Sequence, residues 1–230
     1  MSINRVEEVD DRVKVRHVLC SVSDKAGLER LIPGLVEVNP ELRIFSTGGT
    51  FGRLKEILGD AAKERLIQVS DYTGQPETQG GLVKTLDFKI YLGLLTETYN
   101  PSHRQDLART GAVPIDLVIV NLYPFRETVA REGVTVEEAR GNIDIGGPCM
   151  IRAAAKNYLR VAPVVDPGDY DRLLAELREG QGSLGIATRF ELARKAFAHT
   201  AGYDAAISAY LAEASIEAMK KGYQLKDQKA

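Results

Sequence analysis

The run Leu117-Val118-Ile119-Val120, bounded by Asp116 and Asn121, narrows the fold more than any other stretch of the chain. Four consecutive apolar residues cannot alternate between a dry face and a wet one. A strand built from them is therefore buried on both sides, as in a parallel sheet covered by helices. Three earlier segments also read as strands: His17–Val22, Leu42–Ser46 and Leu66–Val69. Between them, residues 27–38 and 51–58 carry apolar residues at helical spacing. Strands alternating with helices predict an α/β fold, a doubly wound and mostly parallel sheet.

Further along, the turn-forming residues Ser70 to Pro76 predict a loop, and Gly80 to Leu95 mixes glycine, charge and apolar residues without a clear period. Pro101 to Thr110 reads as a helix. Thr135 with Glu138 three residues later has the pattern of a capping box. A helix is expected over Cys149–Asn157, after the glycine pair 146–147. Val161–Val165 is expected as a strand, and Pro163, lacking an N–H, assigns it to an edge. Residues 169–178 and 187–220 are helical in pattern. The chain thus reads as a polar leader over 1–16, one domain over 17–220 and a polar tail over 221–230. Within that domain, 17–134 forms an α/β core and 135–220 a mixed and helical extension.

Composition excludes several classes. The formal net charge is −2, which provides no basic field to gather nucleic acid or an anionic membrane. Cys20 and Cys149 lie far apart with no metal-ligand spacing, so neither a metal site nor a disulfide framework is expected. The leader has no apolar core of the kind a secretion signal needs, and a cytoplasmic location follows as the expectation.

Two strand ends carry small polar residues ahead of a helix: Ser23-Asp24-Lys25 and Ser46-Thr47-Gly48-Gly49-Thr50. In an open parallel sheet ligands sit beyond the carboxyl ends of the strands. There a glycine pair lets backbone N–H groups and a helix N-terminus approach a phosphate. The plainer account is that Ser23 and Thr47 cap helices and the glycines make a turn. Lys84 by itself reads as a surface lysine. Asn121 and Tyr123 follow the best strand and either point into the same crevice or, as composition slightly favours, leave a buried tyrosine satisfying its hydroxyl in a turn. Asp144 sits between isoleucines just before Gly146-Gly147, costly for an acid without partners or a role. Lys156 and Asn157 end a helix and either face a ligand or complement its dipole. His199, alone on a helix, reads as structural.

Taken in order, these pieces resemble a known family. Ser21-Val22-Ser23-Asp24-Lys25, Ser46-Thr47-Gly48-Gly49-Thr50, Val69 to Gly74 and Val83-Lys84-Thr85-Leu86 come first. Asn121 to Phe125, Asn142 to Gly147, Arg152 to Asn157 and Lys195 to Thr200 follow. The series, from about Val18 to Leu211, is similar to the cyclohydrolase half of the bifunctional AICAR transformylase/IMP cyclohydrolase family. The resemblance implies a methylglyoxal-synthase-like fold, a homodimer and no metal or redox cofactor. The implied reaction closes the purine ring of 5-formamidoimidazole-4-carboxamide ribonucleotide (FAICAR) to give IMP and water.

By that resemblance Ser23, Lys25, Ser46, Gly48, Gly49 and Thr50 hold the phosphate. Lys84, Asn121, Tyr123, Asp144, Gly146, Gly147 and Lys156 meet the base and the reacting groups, and Thr47 and Thr85, beside them in sequence, are further substrate-binding candidates. Asp144 is expected to orient or deprotonate the carboxamide, Lys156 with Lys84 to stabilise the oxyanion, and Tyr123 to act as a secondary donor or proton relay. The chain departs from the family pattern at Leu82, Asp87, Phe88 and Tyr91, next to the expected base site. It also lacks the transformylase half, so no folate is expected to bind, and a separate transformylase is an open partner. Two other readings stay in play: a non-catalytic nucleotide-phosphate sensor of the same fold, and a methylglyoxal-synthase-like lyase.

Overall fold

The computed structural model describes residues 5–75 and 84–226. Its centre is a five-stranded, wholly parallel sheet. In chain order its strands are β2 (His17–Val22), β3 (Arg43–Ser46), β4 (Leu66–Gln68), β5 (Leu117–Asn121) and β6 (Ala162–Val164). A short β1 (Arg12–Lys14) precedes them and β7 (Ser183–Gly185) follows. The spatial order is β4-β3-β2-β5-β6. The chain winds outward from β2 through β3 to β4, then returns to the other side of β2 for β5 and β6.

Twelve helices accompany the strands among the described residues: α1 (Leu28–Val38), α2 (Gly48–Leu58), α3 (Ala62–Arg65), α4 (Val69–Thr73), α5 (Phe88–Leu95), α6 (Pro101–Thr110), α7 (Phe125–Val129), α8 (Val136–Gly141), α9 (Gly146–Lys156), α10 (Tyr170–Glu179), α11 (Ile186–Glu213) and α12 (Ile216–Lys221). Strand side chains alternate between two cores, as the period of two demands. Val18, Cys20, Ile44, Leu117 and Ile119 face α1, Leu54 of α2, and α10. Leu19, Phe45, Val118 and Val120 face α5, α9 and α11. The sheet is therefore covered on both sides. No helix among the described residues is long and apolar enough to cross a membrane.

Local chemistry sets several boundaries. At α6 the Asn100 side chain accepts from the amides of Ser102 and His103 while Pro101 occupies the first turn. The Thr135–Glu138 capping box is present in full at α8. Pro163 does stand on an edge strand, paired only with β5. Asp87 opens α5 by accepting from Lys89 N, giving form to part of the segment that had none in the sequence.

Some expectations need correction. Both glycine pairs lie inside the first turns of α2 and α9 rather than ahead of them. Val69, expected to end a strand, and residues 70–73, expected as a loop, form the short α4, closed by Gly74. The leader is not loose, because β1 pairs antiparallel with β7 and Val15 beside it is buried. Strands of three residues carry too little periodicity to be read from sequence.

Candidate functional site

A cavity of about 330 Å³ opens beyond the carboxyl ends of β2, β3 and β5. The order of the sheet reverses beside β2, and the crevice at such a reversal is where open α/β sheets hold ligands. Its volume falls at the lower end of the roughly 300–1,000 Å³ range of small-molecule sites. Ser21 and Val22 end β2 and Ser23 and Lys25 follow it, Thr47 to Thr50 begin α2, and Asn121 ends β5 with Tyr123 just beyond. Lys84 to Leu86 and the first turn of α9 complete the lining with Asp144.

One end of the cavity is built to meet an anion. Thr47 precedes α2 in an extended conformation and makes no side-chain cap, so the first amides of the helix keep their free donors. Gly48 has φ +50°, a left-handed conformation that favours glycine. The Lys84 Nζ lies 3.6 Å from where a Gly48 Cβ would stand, and the Lys25 Nζ lies 4.0 Å from the corresponding point on Gly49. Two ammonium groups thus converge on one helix N-terminus. Among the described residues neither lysine forms an ion pair, and Lys25 donates only to its neighbour's carbonyl, Ser23 O, at 3.3 Å.

The wall behind these groups is held by polar side chains already occupied. Asn121 Oδ1 accepts from Ser23 N at 2.6 Å and from Asp24 N at 2.8 Å, while its Nδ2 donates to Asp24 O at 2.8 Å. Asn121 therefore lines the cavity with its polar groups spent on fixing the turn after β2. Thr50 is similarly committed: its hydroxyl accepts from Val22 N at 3.0 Å and donates to Val22 O at 2.9 Å. The Ser21 and Thr47 hydroxyls stand 3.4 Å apart at the cavity wall.

The same lining carries an acid. Asp144 Oδ1 accepts from Gly147 N at 2.8 Å, and the Tyr123 amide also donates to this carboxylate. Burial pushes the Asp144 carboxyl above its ordinary value, and those two amides only partly oppose the shift. A Cβ on Gly147 would lie 2.6 Å from Asp144 Oδ2 and equally close to Leu122 Cδ2, so only glycine admits this approach. Thr85 is buried, with its Oγ1 2.8 Å from where a Gly146 Cβ would stand. The Tyr123 ring is half exposed at the rim.

Most of the residues singled out in the sequence meet here: Ser23, Lys25, Thr47, Gly48, Gly49, Thr50, Lys84, Thr85, Asn121, Tyr123, Asp144, Gly146 and Gly147 all line the cavity. Two do not. Ser46 is fully buried, and its hydroxyl donates to Cys20 O at 2.7 Å, so it braces β3 against β2 instead of facing the cavity. Lys156 is exposed at the last turn of α9, whose first turn lines the cavity. Ten residues along a helix carry it about 15 Å away and roughly 80° round the axis. Asn157 is likewise no ligand group, since its Nδ2 donates to Leu94 O and Thr96 O. His199 is half-buried on α11 outside the lining.

Of the departures from the family pattern, Leu82 lies outside the described residues. Asp87 caps α5, Phe88 is exposed, and the buried Tyr91 hydroxyl faces Cys149. Sequence reading missed Tyr203, whose hydroxyl accepts from Asp144 N at 2.8 Å and donates to Asn142 O at 3.1 Å. Nothing local in the sequence announces a contact between residues so far apart.

Comparison with known proteins agrees with this fold. The MGS-like domain family matches residues 27–149, and the family described as AICARFT/IMPCHase bienzyme matches residues 154–230. Among curated relatives, the bifunctional purine biosynthesis protein PurH of Magnetococcus marinus is 50% identical over 198 residues, covering 86% of this chain and 36% of the relative. PurH of Sorangium cellulosum is 52% identical over 197 residues, with the same coverage. The chain thus spans little more than a third of the length of these relatives. A solved structure, described as the crystal structure of ForH, superposes with a TM-score of 0.72 at 34% identity, covering 84% of this chain and 95% of that one. The parallel sheet, the cavity at its reversal point and a match across more than half the residues agree: the chain belongs to the MGS-like domain family.

Proposed function

We propose that this protein is an enzyme of purine biosynthesis, an IMP cyclohydrolase that converts FAICAR to IMP and water. The observation that carries the reading is the make-up of the cavity: a helix N-terminus with two lysines that form no ion pair among the described residues, together with a half-buried carboxylate beside its glycine pair. A ribonucleotide has the matching groups, a phosphate and a reactive heterocycle. The 50% and 52% identity to PurH proteins over 86% of the chain supports the same assignment.

The chemistry is intramolecular. The carboxamide nitrogen attacks the formyl carbon, a C–N bond forms, and the formyl oxygen leaves as water with two protons from the two nitrogens. Nucleophile and electrophile share one ring, and that proximity is worth roughly 7–11 kcal/mol when the geometry is right. The protein must hold the carboxamide, manage its proton and meet the developing oxyanion. Asp144 accepts a carboxamide proton, and its raised pKa brings it nearer to the working pH of a general base. The ammonium of Lys84 and the amides of the α9 first turn supply positive charge. Tyr123, at the rim, donates to the departing oxygen.

An absorbance assay for IMP formation from FAICAR tests the proposal. The wild-type protein should turn over. Asp144→Asn should lose about 10²–10⁴ in rate, the range for one acid–base group. Binding of IMP by calorimetry without any consumption of FAICAR would instead mark a non-catalytic sensor.

A further inference from the structure

The residues lining the cavity run only from Ser21 to Met150, yet the Asp144 loop is held from behind by the long helix α11. We infer that Tyr203 is a positioning residue that sets the direction of the Asp144 side chain through its hydroxyl; the catalytic consequence rests on the cyclohydrolase reading. The hydroxyl accepts from Asp144 N at 2.8 Å and donates to Asn142 O at 3.1 Å. Both of its hydrogen-bonding capacities are thus used on one loop, the connection between α8 and α9 that delivers the carboxylate. The ring is 8% exposed and packs edge-on to Phe125, centroids 6.2 Å apart. A phenol fixed by packing at one end leaves the loop little freedom at the other.

The geometry distinguishes this from packing alone. Phenylalanine fills the same volume but cannot pair the Asp144 amide or the Asn142 carbonyl, and a buried backbone group without a partner must shift to find one. Any such shift moves the carboxylate away from the amides of Gly147 and Tyr123. An error of about 1 Å at a reacting group is enough to cost roughly 10²-fold in rate. The titratable groups acting on the hydroxyl are Asp144, Asp204 and Tyr123, and its pKa stands above the ordinary phenol value, chiefly through burial. It acts as a neutral hydrogen-bonding group at neutral pH.

The test compares Tyr203→Phe with Phe125→Leu, which disturbs the ring contact and leaves the hydroxyl. In Tyr203→Phe, kcat with FAICAR should fall tenfold or more while KM changes less than twofold. The acid limb of the rate profile should shift as Asp144 exchanges its amide donors for water. Phe125→Leu should keep kcat within threefold. The inference is overturned if Tyr203→Phe keeps wild-type kcat and acid limb, or if Phe125→Leu reproduces its defects. Two readouts need no turnover: the ¹³C titration of the Asp144 carboxyl, which should shift in Tyr203→Phe, and exchange of the Asp144 amide, which should quicken. If the wild type leaves FAICAR unchanged, the cyclohydrolase reading fails while these two measurements still decide the role of Tyr203.

Discussion

Arg189 is the largest fully buried side chain among the described residues, and no carboxylate pairs with it. Its guanidinium donates to five backbone carbonyls instead: Asp10, Asp11, Tyr158, Leu159 and Leu184, at 2.5–3.1 Å. One side chain thereby joins the segment before β1, the turn before β6 and the start of β7. Replacing it with methionine keeps much of the stem's bulk and removes every donor. The carbonyls of Asp10 and Asp11 lie near the surface, where water can replace the lost bonds. Those of Tyr158, Leu159 and Leu184 are on residues half-buried or buried, and each unpaired acceptor costs about 1 kcal/mol or more. The expected loss is about 3–5 kcal/mol, large against the roughly 5–15 kcal/mol of a typical domain. For a protein of this size that corresponds to a fall of roughly 6–20 °C in Tm. Lysine offers three donors in place of five and should fall between the two. Thermal and urea unfolding of wild type, Arg189→Lys and Arg189→Met give the comparison. A methionine variant melting within about 2 °C of wild type would refute the reasoning, because it would mean that the five bonds merely replace hydration at no gain.

Other expectations follow from the cavity. Gly147→Ala puts a Cβ 2.6 Å from both Asp144 and Leu122, so it should destabilise by about 1–3 kcal/mol in urea titration and lower the cyclohydrolase rate at least tenfold. Asn121→Ala frees the amides of Ser23 and Asp24 and should weaken nucleotide binding by calorimetry about tenfold, with the fold retained. The Asp144 carboxyl is raised by burial, and it must be ionised to accept a proton. Activity should therefore appear only as pH rises through a value above about 3.9, the ordinary carboxylate pKa, and that limb should vanish in Asp144→Asn. The same shift has a sign for stability. With the folded pKa above the unfolded one, the contribution of Asp144 is full at low pH and is lost as pH rises through the folded value. The wild-type Tm should carry a small term that declines across that window and is absent from the asparagine variant.

What could be read from the residues alone depended on how local the cause was. The strand 117–121 and the Thr135 capping box are written in neighbouring residues, and both stand where the pattern put them. The edge position of Pro163 follows from a missing donor. Gly48, Gly49, Gly146 and Gly147 were legible as turn-makers, and they line the cavity, although they begin helices rather than precede them. Ser46 and Lys156 show where the reading fails. Strand register turns Ser46 inward to Cys20, and the length of α9 carries Lys156 away from the cavity, and neither is visible without three dimensions. Tyr203 and Arg189 act over separations of many tens of residues, through single bonds that leave no periodic trace.

The arrangement of the sheet also dictates how the chain must be assembled. The central strand β2 pairs with β3 early, but its other partner is β5, with Val18 opposite Leu117, and Arg12 waits for Gly185. At ribosomal speeds of about 5–20 residues per second, the second neighbour of β2 emerges roughly 5–20 s after β2 itself. Until then one edge of the central strand stands open to other nascent chains. Folding rate falls as contacts become less local, so this protein should refold slowly in vitro and lose yield to association at high concentration. Any circular permutant that brings β5 next to β2 in the chain should relieve both.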